Sequence, residues 1–298
     1  MGRQNGHRIE WMRCLPFFLL HAGCFAVFLV GWSWFAVTTA VVLYLVRMFA
    51  ITGFYHRYFS HKTFKTSRAA QFAFAVIGNS AAQRGPLWWA GWHRHHHAHS
   101  DKAVDMHSPM QHGLFRSHVG WFLTGDGFLT KTERVRDLSR FPELRFLDRF
   151  DWIVPTLLGV SIFALGWILE VFAPSLGTTA WQLFVWGFVV STVVLFHATF
   201  SINSLAHLLG KRRFETRDTS RNHWFLALLT LGEGWHNNHH YYPASTRQGF
   251  YWWEYDPCYW VLRGLAFFGV VWDLQPVPER ILEQGRNASQ TRPPRRAA

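Results

Sequence analysis

Four long apolar stretches, set apart by polar segments, dominate the pattern of this chain. They run roughly from Leu15 to Val30, Trp34 to Phe54, Trp152 to Leu169 and Trp181 to Phe200. A helix needs roughly 20 apolar residues to cross a bilayer core, so each stretch predicts a transmembrane helix. The first and third are short unless their flanks extend them. Only Gly31, Trp32 and Ser33 separate the first two, which predicts a tight hairpin. Arg47 interrupts the second stretch. A charge there is expected at the membrane surface, on a helix that projects beyond the bilayer.

The polar segments have structure of their own. Ala69 to Ala82 is apolar enough for a helix lying on the membrane face, and Pro86 permits a turn before the next helix. Tyr251, Trp252, Trp253 and Tyr255 suit a membrane interface. There is no internal repeat and no inter-domain linker. The expected organisation is one domain over residues 1–275, followed by a basic, disordered tail over 276–298 that contains Pro293 and Pro294.

Composition supports a membrane protein: 18% of the 298 residues are aromatic and only 16% are charged. The net charge of +12 would suggest nucleic-acid binding in a soluble chain, but its placement argues otherwise. Fourteen Lys and Arg face seven Asp and Glu between Arg57 and Phe150. The N-terminus (Arg3, Arg8, Arg13) and the tail (Arg280, Arg286, Arg292, Arg295, Arg296) are also basic, and the two short links between paired spans hold no Lys or Arg. The positive-inside rule then puts both termini and the polar segments in the cytoplasm, and a nucleic-acid partner is not expected. The basic N-terminus resembles a secretory signal, but no Ala-x-Ala site follows, so an uncleaved first span is expected. Cys14, Cys24 and Cys258 show no paired spacing, which leaves metal chemistry to histidine.

Histidine is clustered. His56 and His61 form an HxxxxH pair; His93, His96 and His97 form one HxxHH triplet and His236, His239 and His240 another; His207 stands alone. A helix gathers i, i+3 and i+4 on one face. Such triplets repel when protonated and pack poorly, whereas neutral imidazole suits iron, zinc and copper. The HxxxxH pair is a weaker signal, because i and i+5 lie about 140° apart on an α-helix. Nine ligands exceed what one ion uses, so a dinuclear site is expected, and all four clusters fall on the cytoplasmic side. Among the other histidines, His7 and His21 read as incidental, and His112, His118 and His223 as hydrogen-bonded cap residues. His95 and His99 lie off the triplet face, His107 suits the shell around the ligands, and His197 reads as a satisfied core residue. A metal transporter would place ligands near the bilayer midplane, and a haem protein would need paired His on facing spans; the clusters sit at helix ends instead.

At this point the chain resembles the integral-membrane fatty acyl desaturases of the stearoyl-CoA (Δ9) type. The matching segments are His56-Arg-Tyr-Phe-Ser-His61, His93-Arg-His-His-His97 with Ser100-Asp101, Ser117-His-Val-Gly-Trp121, Asn203-Ser-Leu-Ala-His207 and Gly232-Glu-Gly-Trp-His-Asn-Asn-His-His240, in family order across about 50 to 245. The resemblance implies an all-α membrane protein: four transmembrane helices under a cytosolic helical cap that holds a His-ligated dinuclear site. It implies two irons held by the nine histidines, with Asn203 reaching one through water. It further implies O2 as co-substrate and a cis double bond, at Δ9, in an acyl chain. A lipid hydroxylase on the same scaffold is the neighbouring alternative. Imidazole ligands need partners on their second nitrogen, for which Asp101, Asp105, Asp218 and Glu233 are the candidates. Arg84, Arg94, Lys211, Arg212 and Arg213 are candidates for a phosphate-bearing head group. Acyl-CoA is the first expectation for the carrier. However, Gly91-Trp92 replaces the Arg-Asp usual before the second box of the acyl-CoA branch, leaving acyl-lipid or acyl-carrier-protein substrates open. No flavin or dinucleotide fingerprint is present. Electrons are therefore expected from a separate ferredoxin, rubredoxin or cytochrome b5 with its reductase.

Overall fold

A computed structural model describes residues 8–290. Arg3, His7 and the tail from 291 on, with Arg292, Arg295 and Arg296, lie outside the described residues. Helix α1 (Trp11–Val30) and helix α2 (Trp34–Ser60) form the first hairpin. Gly31 turns it at φ +66, and the Ser33 hydroxyl caps α2 by accepting from Ala36 N at 3.1 Å. Two helices follow: α3 (Arg68–Asn79), capped by Ser67, and α4 (Pro86–His99), which begins on Pro86. Helices α5 (Ile153–Phe172) and α6 (Ala180–Leu208) form the second hairpin. Glu170 closes it by accepting from Ala180 N at 2.9 Å, and Gly166 lets the two helices touch, since a Cβ there would lie 2.7 Å from Ala180 Cα. The short helix α7 (His236–Tyr241) and helix α8 (Glu279–Gln290) complete the elements used below.

All four helices are long and apolar enough to cross a membrane. Helices α1 and α5 are outer helices exposed along much of their length, while α2 and α6 form the inner pair and run past the expected span ends. Their extra turns carry His56 and His207 up among the polar segments. The main core sits at that junction, where Met48, Tyr55 and Phe59 pack with Phe74, Leu144, Leu195 and Leu262.

Three expectations change. Arg47 does not reach the surface: it is 1% exposed and donates to Ser191 Oγ at 2.5 Å, Thr192 Oγ1 at 2.7 Å and the Leu43 carbonyl at 3.1 Å. Hydroxyls of the neighbouring helix satisfy the guanidinium, so it ties α2 to α6 instead of snorkelling. The tail is not disordered through residue 290. Ile281 of α8 packs with Phe214, Phe250 and Tyr251, and Tyr251 Oη donates to the Leu282 carbonyl at 2.8 Å. Two adjacent apolar residues give no helical period; docking on the aromatic surface stabilises the helix. The upper end of α2, Ala50–Ser60, is wound as a π-helix.

Close packing of α3 on α2 depends on Gly78, where a Cβ would lie 2.1 Å from Tyr55 Cε1. Tyr55 is fully buried and donates to the Ala75 carbonyl at 3.3 Å, so it has no room to yield. Gly78→Ala is expected to lose about 1–3 kcal/mol by overpacking, seen as a lower thermal midpoint in detergent. An unchanged midpoint would show that the two helices are not held this closely.

Candidate metal centre and acyl cavity

The nine clustered histidines come together in two groups. The candidate ligand atoms of His56, His61, His93, His97 and His239 all lie within 4.8 Å of one another, and so do those of His96, His207, His236 and His240. Each HxxHH triplet is split between the two groups. His93 and His97 of α4 join the first group and His96 the second, while α7 sends His239 to the first and His236 and His240 to the second. The groups touch: His97 and His240 rings stack with centroids 4.5 Å apart. Nε2 atoms face one another across the site, at 3.0 Å for His56–His239, 2.7 Å for His61–His93, 2.9 Å for His97–His239 and 3.1 Å for His207–His236.

Local winding explains the HxxxxH pair. In the π-helical end of α2 hydrogen bonds run from i to i+5, and His61 N donates to the His56 carbonyl at 3.2 Å. Five residues then make about one turn, so both rings fall on one face, with centroids 4.9 Å apart. The angle expected from α-helical geometry does not apply here.

Behind the inward-facing nitrogens stand the acidic residues. Asp105 lies 2.9 Å from His96 Nδ1, Asp101 3.3 Å from His207 Nδ1 and Asp218 2.8 Å from His240 Nδ1, and Glu233 contacts His56 Nδ1. Each carboxylate serves a different ring. Asp101 sits at φ +57, a costly backbone for a non-glycine residue, and also accepts from Thr219 N at 2.7 Å and Ser108 Oγ at 2.6 Å. Gly232 clears space behind Glu233: its φ is +125, and a Cβ would meet Asp256 Oδ1 at 2.6 Å and Arg57 Nη2 at 2.8 Å.

Burial and neighbouring imidazole charges push His61 down to about 3. Burial pushes His240 down to about 4 against the pull of Asp218, and His93, His97, His236 and His239 lie well below the usual range for the same reason as His61. His96 is the exception, because the Asp105 charge outweighs burial and raises it. Burial pushes Glu233 up to about 8 despite Arg57. Asp101, Asp105 and Asp218 stay well below the carboxylate range, since their histidine partners outweigh burial. Most rings are therefore neutral and offer lone pairs into the site.

An apolar cavity of about 910 Å³ adjoins the cluster at His93 and His107. Trp88, Trp89 and Trp92 of α4, Phe17 and Leu20 of α1, Gly159 and Val160 of α5, and Phe196, Phe200 and Asn203 of α6 line it. Within the lining, Gln83 Nε2 donates to Thr199 Oγ1 at 2.9 Å and Trp89 Nε1 donates to Gln83 Oε1 at 3.4 Å, a polar brace among mostly apolar walls. Arg13, Pro16, Trp152 and Val160 line the cavity yet are exposed on the outer helices, so it opens sideways between α1 and α5.

The profile of the fatty acid desaturase family matches residues 32–273. The chain is 33% identical to an sn-1 stearoyl-lipid 9-desaturase of Anabaena variabilis, over 88% of this chain and 93% of that protein. It is 35% identical to acyl-CoA 5-desaturase AL21 of Anemone leveillei, over 84% of this chain and 74% of the relative. It is 36% identical to a chloroplastic palmitoyl-monogalactosyldiacylglycerol delta-7 desaturase of Arabidopsis thaliana, over 82% and 63% respectively. This chain belongs to the fatty acid desaturase family. The four apolar helices and this membership mark a desaturase embedded in the membrane, an oxidoreductase acting on fatty acyl chains.

The residues present fit a bound metal of the kind the sequence resemblance implies. Nine imidazoles with Nε2 turned inward, no thiolate among them, and carboxylates on four of the outer nitrogens form a donor set suited to nitrogen-preferring ions such as iron. Other residues fall elsewhere than sequence suggested. Among the head-group candidates only Arg84 lines the cavity, with Nε donating to Asp151 at 2.5 Å. Arg94 braces the fold through Asp137 at 2.7 Å and the Phe59 carbonyl at 2.6 Å, and Arg213 pairs with Glu254 behind α7. Arg212 donates to the Thr216 carbonyl at 2.9 Å, and Lys211 is exposed; neither reaches the cavity. His223 does cap a helix, accepting from Leu226 N at 3.4 Å. His118 is no cap and His197 no core residue: His197 is exposed on α6 and bonds both His118 and His21. His107 stacks on His96 with centroids 4.4 Å apart. Sequence reasoning missed Gln248, 1% exposed, whose amide lies 3.2 Å from His56 Nδ1 and 3.4 Å from His239 Nδ1. A lone glutamine carries no spacing signal.

The depressed histidines fix a pH dependence. In metal-stripped protein the folded values, about 3 for His61 and about 4 for His240, lie below the unfolded value of about 6.5. Between these limits the unfolded chain binds more protons, so stability rises with pH. Glu233, raised to about 8, acts in the opposite sense between 4.5 and 8, but one carboxyl faces six depressed imidazoles. Chelator-treated protein should lose thermal stability progressively from pH 7 to pH 4.5; a flat profile would contradict the neutral, buried cluster.

Proposed function

We propose that the protein is an O2-dependent di-iron desaturase that introduces a cis double bond, at Δ9, into a saturated acyl chain carried by a membrane lipid. The observation behind this reading is the apolar cavity that leads from an opening between two outer helices to the paired histidine groups. The overall reaction removes two hydrogens from adjacent methylenes and, with two electrons and two protons, reduces O2 to two waters. Bound at the two groups, iron would supply the oxidising power that no side chain has. The nine histidines would hold the pair, and Asn203, which lines the cavity four residues before His207, would reach one metal through water. Asp101, Asp105 and Asp218 would keep three rings oriented by accepting from Nδ1–H, and the Glu233 carboxyl would hold the His56 ring. The Trp walls and the Gln83–Thr199 brace would hold the chain bent and dry beside the metals.

The sideways opening favours a lipid-borne chain over the acyl-CoA first expected. Four of the five basic head-group candidates do not line the cavity, whereas Arg84 does, together with Arg13, Asp151 and Trp152. These two cations suit a phosphate or ester at the membrane surface. The distribution of Lys and Arg supports a cytoplasmic side for the polar segments and both termini. Electrons would come from a separate carrier docking there, of the ferredoxin, rubredoxin or cytochrome b5 kind.

Expression in an unsaturated-fatty-acid auxotroph should yield lipids two mass units lighter with the double bond at Δ9. A gain of sixteen mass units would identify a hydroxylase instead, and desaturation of added acyl-CoA before any lipid would overturn the lipid carrier. His96→Ala and His239→Ala should each abolish product and reduce bound iron while leaving the protein inserted. Asp218→Asn should weaken iron retention by about 10- to 100-fold. Purified protein with lipid and O2 should make no product until a reduced carrier is added.

A further inference from the structure

Three histidines outside the metal groups form an unbroken line between two membrane-spanning helices and a neighbouring turn. His21 lies on α1, His197 on α6 and His118 in the turn Arg116–Gly120. His21 Nδ1 is 2.7 Å from the Phe17 carbonyl, and its Nε2 is 3.1 Å from His197 Nε2. His197 Nδ1 is 3.0 Å from His118 Nε2, and His118 Nδ1 is 2.8 Å from Ser204 Oγ. Ser204 Oγ lies 2.9 Å from the Phe200 carbonyl.

Counting hydrogens shows what this line requires. Both ends are backbone carbonyls, which only accept. The five contacts need five hydrogens to be hydrogen bonds. Three neutral imidazoles supply one N–H each and the serine one O–H, giving four. A neutral line therefore has one contact at which two lone pairs face each other. One additional proton completes every bond.

We propose that His21, His197 and His118 form a binding site for a single proton, shared along the line, which latches α1 to α6. A metal ion is a poorer occupant. The two nitrogens of His197 point away from each other, toward His21 on one side and His118 on the other, so the three rings do not converge on a point as each of the two histidine groups does. No carboxylate among the described residues pairs with any of the three. Helix α6 carries no Asp, Glu, Lys or Arg between Ala180 and Leu208, and the α1 segment adds Glu10 and Arg13, two or more turns from His21. The turn adds Arg116, and the adjacent helix Pro109–Phe115 adds His112. Charge is thus spread over three rings and not neutralised by an ion pair. Burial and the His197 charge oppose a proton held on His118 alone; the complete set of hydrogen bonds is what favours it. Ionisable groups inside a membrane span are rare, and a partnered chain of them indicates proton binding.

The latch bears on the cavity. Phe17, one turn before His21, lines it and stacks on Phe196 with centroids 5.9 Å apart. Losing the proton would loosen the α1 wall beside the sideways opening. That consequence rests on the acyl-cavity reading given above; the proton site itself does not.

The test uses full-length, 15N-histidine-labelled protein in phosphatidylcholine nanodiscs, followed by 15N NMR across pH 6–8. Wild type should show one imidazolium assigned to these rings at pH 7. Ser204→Ala leaves three contacts and three hydrogens, and His197→Phe splits the line into neutral pieces, so both remove the need for the extra proton. Each variant should lose that signal, or lose the proton at a pH lower by about one unit, a tenfold change in affinity. The proposal fails if all three rings are neutral in wild type at pH 7, or if the variants titrate like it. It also fails if wild type takes up Zn2+ at a site that His197→Phe removes without altering the nine-histidine signals. Absence of desaturated lipid beside an intact imidazolium signal would refute the desaturase reading alone.

Discussion

The structure depends on holding nine imidazoles, most of them buried and neutral, in two groups whose candidate ligand atoms lie within 4.8 Å of one another. Without metal or partners, so many rings would repel once protonated and would lack acceptors once neutral. Carboxyl groups solve part of this by taking the outer nitrogen of His56, His96, His207 and His240, which turns Nε2 inward. Burial does the rest by disfavouring the charged form. The same arrangement that suppresses protonation prepares nitrogen lone pairs for a metal, so stability and chemistry are served by one set of contacts.

Reaching that arrangement requires rigid supports from distant parts of the chain. Helices α2 and α6 do this by continuing past their apolar spans, and Arg47 locks them together through Ser191 and Thr192. The π-helical end of α2 adjusts the last turn so that His56 and His61 share a face. Helix α4 then meets α7 across the site, each contributing to both groups. Splitting both triplets links the two metal positions mechanically: a shift of either helix would disturb both.

The cavity and the histidine line show a second use of the membrane helices. The outer helices α1 and α5 form the walls of an opening, while the inner pair carries His56 and His207 into the two histidine groups. Polar groups in this apolar setting are few and meet other polar groups, as at Gln83–Thr199 and at His21–His197–His118. In hydrocarbon an unpaired polar group is costly, so such groups persist where they hold a shape or a proton.

Sequence alone determined the four spans and the histidine clusters, because these follow from local periodicity and from residue chemistry, and it offered the acidic residues as candidates. Spacing within a triplet fixes a helical face, and apolar length fixes a membrane crossing. It did not determine how the triplets divide between two groups, since that depends on how α4 and α7 cross. Nor did it show that Arg94 and Arg213 brace the fold while Arg84 reaches the cavity, that Arg47 is buried, or that residues 279–290 dock as a helix. Gln248, His21 and His197 gave no sequence signal because each acts through partners between 9 and 192 positions away. Such pairings arise only when tertiary packing brings separate elements together, and no local pattern encodes them.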